Sequence, residues 1–330
     1  MALLRLALLA LVLTLAGCDR SSDRGAAAVV ASAVQPASAA APRRKVALVV
    51  KTLNNPFFVE IEKGARRAES ELGFRLIVRS ASQETSIEQQ IQIVDELTRD
   101  KVDAIVIAPG DSQRLIPSLK HAQDAHIVVV NIDNRLDPAA MQRAGMRPVP
   151  FVSVDNERSS WQAAKVVVDR IDRPTQALLI EGIRSADNAQ QRAAGFERAI
   201  AGNPKLHLVA KESGHWQLDE GYEVTRKAFA AHPAIGAIFA ANDMMALGAL
   251  RYLADAGRHD VRVVAYDAIA DARAAIRAGT LAASVDQRPA DQAYQGAMLA
   301  MQALAGQAVP AQVLVETSIV TAQTLAPGAQ

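Results

Sequence analysis

Several short apolar runs in this sequence lead into residues suited to holding hydroxyl groups. The run at 46–50 is followed by Asn54-Asn55-Pro56-Phe57-Phe58, and that at 127–130 by Asn131-Ile132-Asp133-Asn134-Arg135. The run at 177–180 leads into Glu181-Gly182 and then Asp187, Asn188 and Gln190. Those at 237–240 and 261–265 lead into Asn242-Asp243 and Tyr266-Asp267. Trp216 and Gln287 stand in predicted loops. Carboxylates and side-chain amides offer paired hydrogen-bond partners that match vicinal hydroxyls. Aromatic faces pack on the apolar C–H patches of a sugar ring. The combination suits a neutral polyol. Taken singly, an Asp or Asn after a strand is more often a helix cap or turn residue. The inference therefore rests on five strand ends converging on one crevice.

The elements that would position these residues are legible in the periodicity. The runs named above, with 104–108, are short, β-branched and continuously apolar. That pattern marks strands buried on both faces, as in parallel sheets. Between them lie helical patterns. Ile61, Ala65, Ala68 and Leu72 share a face, with Gly73 as C-cap. Ile87, Ile91, Val94 and Leu97 do the same, preceded by Thr85 and Glu88 at capping-box spacing. Met244, Leu247 and Leu250 begin another, with Asp243 as N-cap. Alternating strands and helices imply an α/β fold with doubly wound parallel sheets, and there are two such series, divided near residue 150 by Met146-Arg147-Pro148-Val149-Pro150. In open parallel sheets the ligand crevice lies beyond the carboxyl ends of the strands.

The N-terminus reads as an export signal. Residues 1–5 are short and positive, and 6–16 are apolar apart from Thr14, too short to cross a bilayer. The run ends in Leu15-Ala16-Gly17-Cys18, which resembles the bacterial lipobox and implies cleavage after residue 17 and lipidation of Cys18, the only cysteine of the chain. Asp19 resembles an inner-membrane retention signal. Residues 18–42 are rich in Ala and Ser without amphipathic period and read as a flexible tether. The expected location is the periplasm, anchored to a membrane through lipid alone.

Composition and motifs restrict the function. The chain carries 36 Lys and Arg against 35 Asp and Glu, and loss of Arg5 with the leader would leave the signs equal. Without a basic block interleaved with aromatics, no nucleic-acid partner is expected. No G-x-S-x-G, H-E-x-x-H, C-x-x-C or G-x-x-x-x-G-K-[ST] motif occurs, and the six histidines are scattered. Asp133 and Asp267 could mimic a glycosidase pair, yet binding is the preferred reading and no enzyme is expected. The stretch 133–137 lacks the glycine and terminal glutamate of a calcium loop. No metal and no cofactor are expected.

Thr52-Leu53-Asn54-Asn55-Pro56-Phe57-Phe58 resembles the N-terminal signature of periplasmic ribose-binding proteins. So do residues 242–250, Val263-Val264-Ala265-Tyr266-Asp267 and residues 281–287. The chain from about 45 to about 323 is identified as a member of the type I periplasmic sugar-binding proteins of ABC importers. The resemblance implies two lobes, 43–154 with 288–316 and 155–287 with 317–325, joined by three crossings near Val154-Asp155, Asp286-Gln287 and Glu316-Thr317. It implies a monomer whose cleft closes by hinge motion. It implies ligand contacts at Asn55, Phe57, Phe58, Asp133, Asn134, Gln190, Trp216, Asn242, Asp267 and Gln287. Ribose binders have a serine at the position of Lys51 and arginines at those of Asn134 and Gln190, so the implied ligand is a carbohydrate or polyol other than ribose. Lys51 and Arg135 either restore positive charge to the site or point to solvent. The implied partner is an ABC permease; a chemoreceptor or histidine-kinase sensor domain is the alternative.

Overall fold

A computed structural model describes residues 43–326. The leader at 1–17, Cys18 and the tether at 18–42 lie outside the described residues.

The chain runs as β1 (Lys45–Val50), α1 (Pro56–Leu72), β2 (Arg75–Ser80), α2 (Ile87–Arg99), β3 (Ala104–Ile107), α3 (Ile116–Asp124), β4 (Val128–Ile132), α4 (Pro138–Arg143) and β5 (Phe151–Ser153). It continues as α5 (Asn156–Val168), β6 (Thr175–Glu181), α6 (Asp187–Ala201), β7 (Leu206–Ser213), α7 (Leu218–Ala231), β8 (Ile235–Ala240), α8 (Asp243–Asp255), β9 (Arg262–Val264) and α9 (Ala270–Arg277). The last elements are β10 (Ser284–Asp286), α10 (Pro289–Leu304), β11 (Gln312–Leu314) and β12 (Ser318–Val320).

Two parallel sheets result. The first has the order β11-β5-β4-β3-β1-β2 and the second β7-β6-β8-β9, while β10 and β12 pair antiparallel. Helices α1 and α10 cover one face of the first sheet, and α2 and α3 the other. Alternate residues of β1 enter separate apolar clusters, Val46, Leu48 and Val50 on one side, Ala47 and Val49 on the other. That two-sided burial is why the strands read as continuous apolar runs. Each sheet with its helices forms one lobe, and the loops leaving β1, β4, β6, β8 and β9 face each other across the cleft.

Several local expectations change. Strands β2, β5, β7, β10, β11 and β12 carry no continuous β-branched signal: β2 is an edge strand with charged residues, and the others are three residues long or partly exposed. The segment 146–150 precedes β5, which still belongs to the first sheet, so the chain leaves that sheet a few residues later than the proline-rich stretch suggests. The capping box at α2 does not form: Ser86 precedes the helix without a side-chain cap, and Thr85 offers its backbone carbonyl to the Ile87 N–H. Asn242, not Asp243, caps α8, and its buried face is Met245, Ala246, Ala249 and Leu253, one residue out of the expected register. Gly73 does end α1, at φ 73°.

The candidate ligand-binding cleft

Twelve side chains from both lobes line a small chamber at the strand ends. Eight of the ten expected residues line it: Asn55, Phe57, Phe58, Asp133, Trp216, Asn242, Asp267 and Gln287. Lys51, Glu84, Asn188 and Arg192 complete it.

The first lobe supplies the ends of β1 and β4. Asn55 caps α1, its Oδ1 accepting from the Phe57 N–H at 3.0 Å, while its Nδ2 donates to Glu84 Oε1 at 2.9 Å. This fixes the helix whose first turn presents Phe57 and Phe58, packed edge to face with centroids 5.1 Å apart. Lys51 does not point to solvent. Its ammonium is buried 2.8 Å from Asp133 Oδ2, 5.5 Å from the Phe58 ring and 5.9 Å from the Trp216 ring. Asp133 Oδ2 is thus paired with a buried cation. Asp133 Oδ1 accepts from Asn188 Nδ2 across the cleft at 3.3 Å.

The second lobe answers with a cation and a large ring. Arg192 is buried on α6, donating through Nε to Asn156 Oδ1 (2.9 Å) and through Nη1 to the Ala241 carbonyl (2.8 Å) and Asp267 Oδ1 (3.4 Å). Its guanidinium stacks 3.8 Å from the Tyr266 ring. Gln287 Nε2 donates to Asp267 Oδ1 at 2.6 Å. Asn242 uses Oδ1 to cap α8 and Nδ2 to hold the Trp216 carbonyl. Asp133, Trp216 and Asp267 have φ of 62°, 70° and 115°. Positive φ costs non-glycine residues energy, and such strain concentrates where a side chain must be aimed.

Two expected contacts fall elsewhere. Gln190 is exposed and donates to the Arg184 carbonyl at 2.8 Å; the residues of that helix that line the chamber are Asn188 and Arg192, two positions to either side. A helix turns about 200° over two residues, so the slip moves the side chain to the opposite face. Asn134 is fully buried but outside the chamber, with Nδ2 on the Pro109 carbonyl and Oδ1 accepting from the Asn188 N–H. Arg135 stacks 4.5 Å from the Phe151 ring, also outside the chamber. Glu84 and Arg192 carried no strand-end signal. A buried arginine at the inward position of α6 could have been found from the apolar face formed by Ala189, Ala193 and Phe196.

Two features give testable consequences. Burial pushes the Glu84 carboxyl from its ordinary value of 4.5 up to about 7, against the opposing pull of the Lys51 ammonium. A carboxyl that holds its proton more tightly when folded stabilises the fold fully below its unfolded pKa and loses that contribution as pH rises through about 7. Chemical denaturation of Glu84→Gln from pH 4 to 8 should show a shallower fall than the parent over that window; an identical slope would exclude this proton. Gly182, beneath Trp216, has no room for a Cβ, which would overlap the six-membered edge of the indole. Gly182→Ala should displace the ring and cost about 10-fold or more in ligand affinity, read by calorimetry with folding checked by circular dichroism.

The chain matches the family described as the periplasmic binding protein domain over residues 46–308. It belongs to that family. Its members are solute-binding transport proteins of the periplasm, and the two parallel sheets with their facing strand ends are the type I form of the fold. A D-ribose/D-allose-binding protein of Pseudomonas aeruginosa is 40% identical over 268 residues, 80% of this chain and 83% of that protein. An ABC transporter solute-binding protein of Burkholderia multivorans, whose unknown ligand is represented as α-D-erythrofuranose, is 37% identical with a TM-score of 0.82 and covers 85% of this chain and 100% of its own. A periplasmic solute-binding protein of Actinobacillus succinogenes with bound D-allose is 33% identical at a TM-score of 0.80, over 85% of this chain and 98% of its own. Among the described residues no cluster of His, Cys, Asp and Glu is placed to hold a metal, and no helix is long and apolar enough to cross a membrane.

Proposed function

We propose that this protein captures one monosaccharide or small polyol between its lobes and delivers it to the permease of an ABC importer. The observation that carries the reading is a set of buried polar atoms on chamber-lining residues without hydrogen-bond partners: Asn188 Oδ1, Gln287 Oε1 and Trp216 Nε1. Unmet buried groups cost about 1–3 kcal/mol each. Two acceptors and one donor in a small space are satisfied together by a molecule with several hydroxyls, each able to donate and accept. Phe57, Phe58 and Trp216 supply faces for its C–H surfaces. The charge is self-compensating, with Lys51 on Asp133 and Arg192 beside Asp267, which favours a neutral ligand. The sugars named for the Pseudomonas and Actinobacillus relatives agree with this reading.

The proposed contacts are Asn55, Phe57, Phe58, Asp133, Trp216, Asn242, Asp267 and Gln287, joined by Lys51, Glu84, Asn188 and Arg192. The proposed lobes, 43–154 with 288–316 and 155–287 with 317–325, close by hinge bending around this set. The protein is a carrier, not an enzyme: both carboxylates that could act as an acid/base pair are held by neighbouring cations and amides. It works as a monomer in the periplasm, tethered through a lipid on Cys18; Cys18→Ala should lose metabolic lipid label, and label retained would exclude the anchor.

The test of function is calorimetric titration with pentoses, hexoses, sugar alcohols, inositols, sugar acids and amino acids. Trp216 emission is followed in a Trp161→Phe background. Binding and an emission change with one sugar or polyol class is the expected result. Binding of an amino acid alone would overturn the sugar assignment, and turnover of a bound sugar would overturn the carrier role.

A further inference from the structure

Helix α6 begins at the cleft without a cap of its own. The residue before it is Ala186, which offers no side-chain acceptor, whereas α1, α5 and α8 are capped by Asn55, Asp155 and Asn242. Its first amides are instead satisfied from the opposite lobe. The Asp187 N–H donates to Ser112 Oγ at 2.9 Å and the Asn188 N–H to Asn134 Oδ1 at 3.2 Å. The Ser112 N–H also donates to the Ser185 carbonyl at 3.3 Å. Both capping side chains are held in place within the first lobe. Asn134 Nδ2 is fixed on the Pro109 carbonyl at 3.0 Å, and Ser112 Oγ lies 3.4 Å from Asn134 Oδ1. Asn131 Nδ2 secures the Asn134 carbonyl at 2.7 Å.

We infer that Ser112 and Asn134 are a closure latch: they cap α6 across the lobes only when the cleft is shut. The inference rests on the sugar-carrier reading and adds to it positioning residues that touch no ligand. Opening the lobes returns the first donors of α6 to water, so the cap contributes to the closed state alone. A helix cap is worth about 0.5–2 kcal/mol. Apparent affinity scales with the fraction of protein in the binding-competent state. Because the latch acts on protein rather than ligand, its loss must weaken every ligand by the same factor. This assigns Asn134 a role in closing the lobes, at a position where a direct ligand contact was expected from the sequence.

The test compares the full chain with Ser112→Ala, Asn134→Ala and the Ser112→Thr control, which keeps the hydroxyl. Calorimetry with D-ribose and D-allose should show both affinities falling by a common factor, about 3- to 10-fold for Ser112→Ala, with Ser112→Thr close to the parent. Hydrogen exchange of Asp187 and Asn188 amides, read by mass spectrometry without and with sugar, should be slowed by sugar in the parent. It should be faster in Ser112→Ala. Loss confined to one sugar would make these residues ligand contacts and overturn the latch. So would first-turn exchange in α6 that is unchanged by Ser112→Ala. If neither sugar binds the parent, the two tightest ligands of the calorimetric panel take their place: non-sugars alone there overturn the sugar assignment, and the common-factor loss still decides the latch. Ser112→Ala lies outside the chamber, so its result stands even if Asn134→Ala does not fold.

Discussion

Replacing Asp133 with alanine is expected to reduce sugar affinity by about 100-fold or more. Its carboxylate is the partner of the buried Lys51 ammonium and accepts from Asn188 Nδ2 of the opposite lobe. Removing one member of a buried ion pair typically costs about 3–5 kcal/mol, because the other charge stays desolvated. The same change removes a carboxylate from the chamber wall, where a ligand hydroxyl would donate to it. Stability and affinity should therefore fall together in Asp133→Ala. The double variant Lys51→Met, Asp133→Ala separates them, since it deletes the charge pair as a unit. Thermal unfolding should return towards the parent in the double variant while calorimetry still finds no tight binding. Recovery of binding in the double variant would show that Asp133 only neutralises Lys51.

Arg192→Met is expected to have the other large effect. The guanidinium serves Asn156, the Ala241 carbonyl and Asp267 at once and lies against Tyr266. Burial pushes the Asp267 carboxyl well above the usual range, and Arg192 is the main charge opposing that rise. Methionine keeps much of the volume but strands the Asn156 and Ala241 acceptors in the interior and leaves the Asp267 carboxylate without its cation. A loss of several kcal/mol of stability is expected, together with weaker ligand binding. Arg192→Lys should rescue little, because a single ammonium cannot reproduce the planar fork. Chemical denaturation at pH 5 and pH 8, with calorimetry on the folded fraction, reads both effects. Parent-like stability in Arg192→Met would place the arginine outside the structural network of the second lobe.

How the two lobes meet explains which residues were legible beforehand. Phe57 and Phe58 follow a buried strand at the start of a helix, and Asp133 and Asp267 follow strands directly, so strand-end logic reaches them. Glu84 lies in a loop after an edge strand whose apolar run is only Leu76-Ile77-Val78 between two arginines, and Arg192 sits a turn and a half inside a helix. Neither has a local signature. Lys51 is one residue past β1, where a lysine is equally compatible with solvent; only its neighbours Asp133, Phe58 and Trp216 decide that it is buried. The displaced α8 cap has a similar cause. Asn242 and Asp243 are both good capping residues, and the choice falls to Asn242 because Asp243 is drawn inward to Ser284 and the Ile269 N–H.

By itself the sequence determined the alternation of strands and helices and the parallel character of the sheets, because two-sided burial imprints continuous apolar runs on single strands; the family was legible in the resemblance carried by residues 52–58, 242–250, 263–267 and 281–287. It also determined most of the chamber, since a parallel sheet delivers the residues after its strands to one end. The tertiary structure alone decided three things: that Lys51 turns inward, that Arg192 rather than Gln190 faces the ligand space, and that Asn134 caps a helix of the opposite lobe. Each depends on a partner far away in the chain or on which face of a helix meets the cleft. Local periodicity carries no information about either, because such contacts exist only once the two lobes have come together.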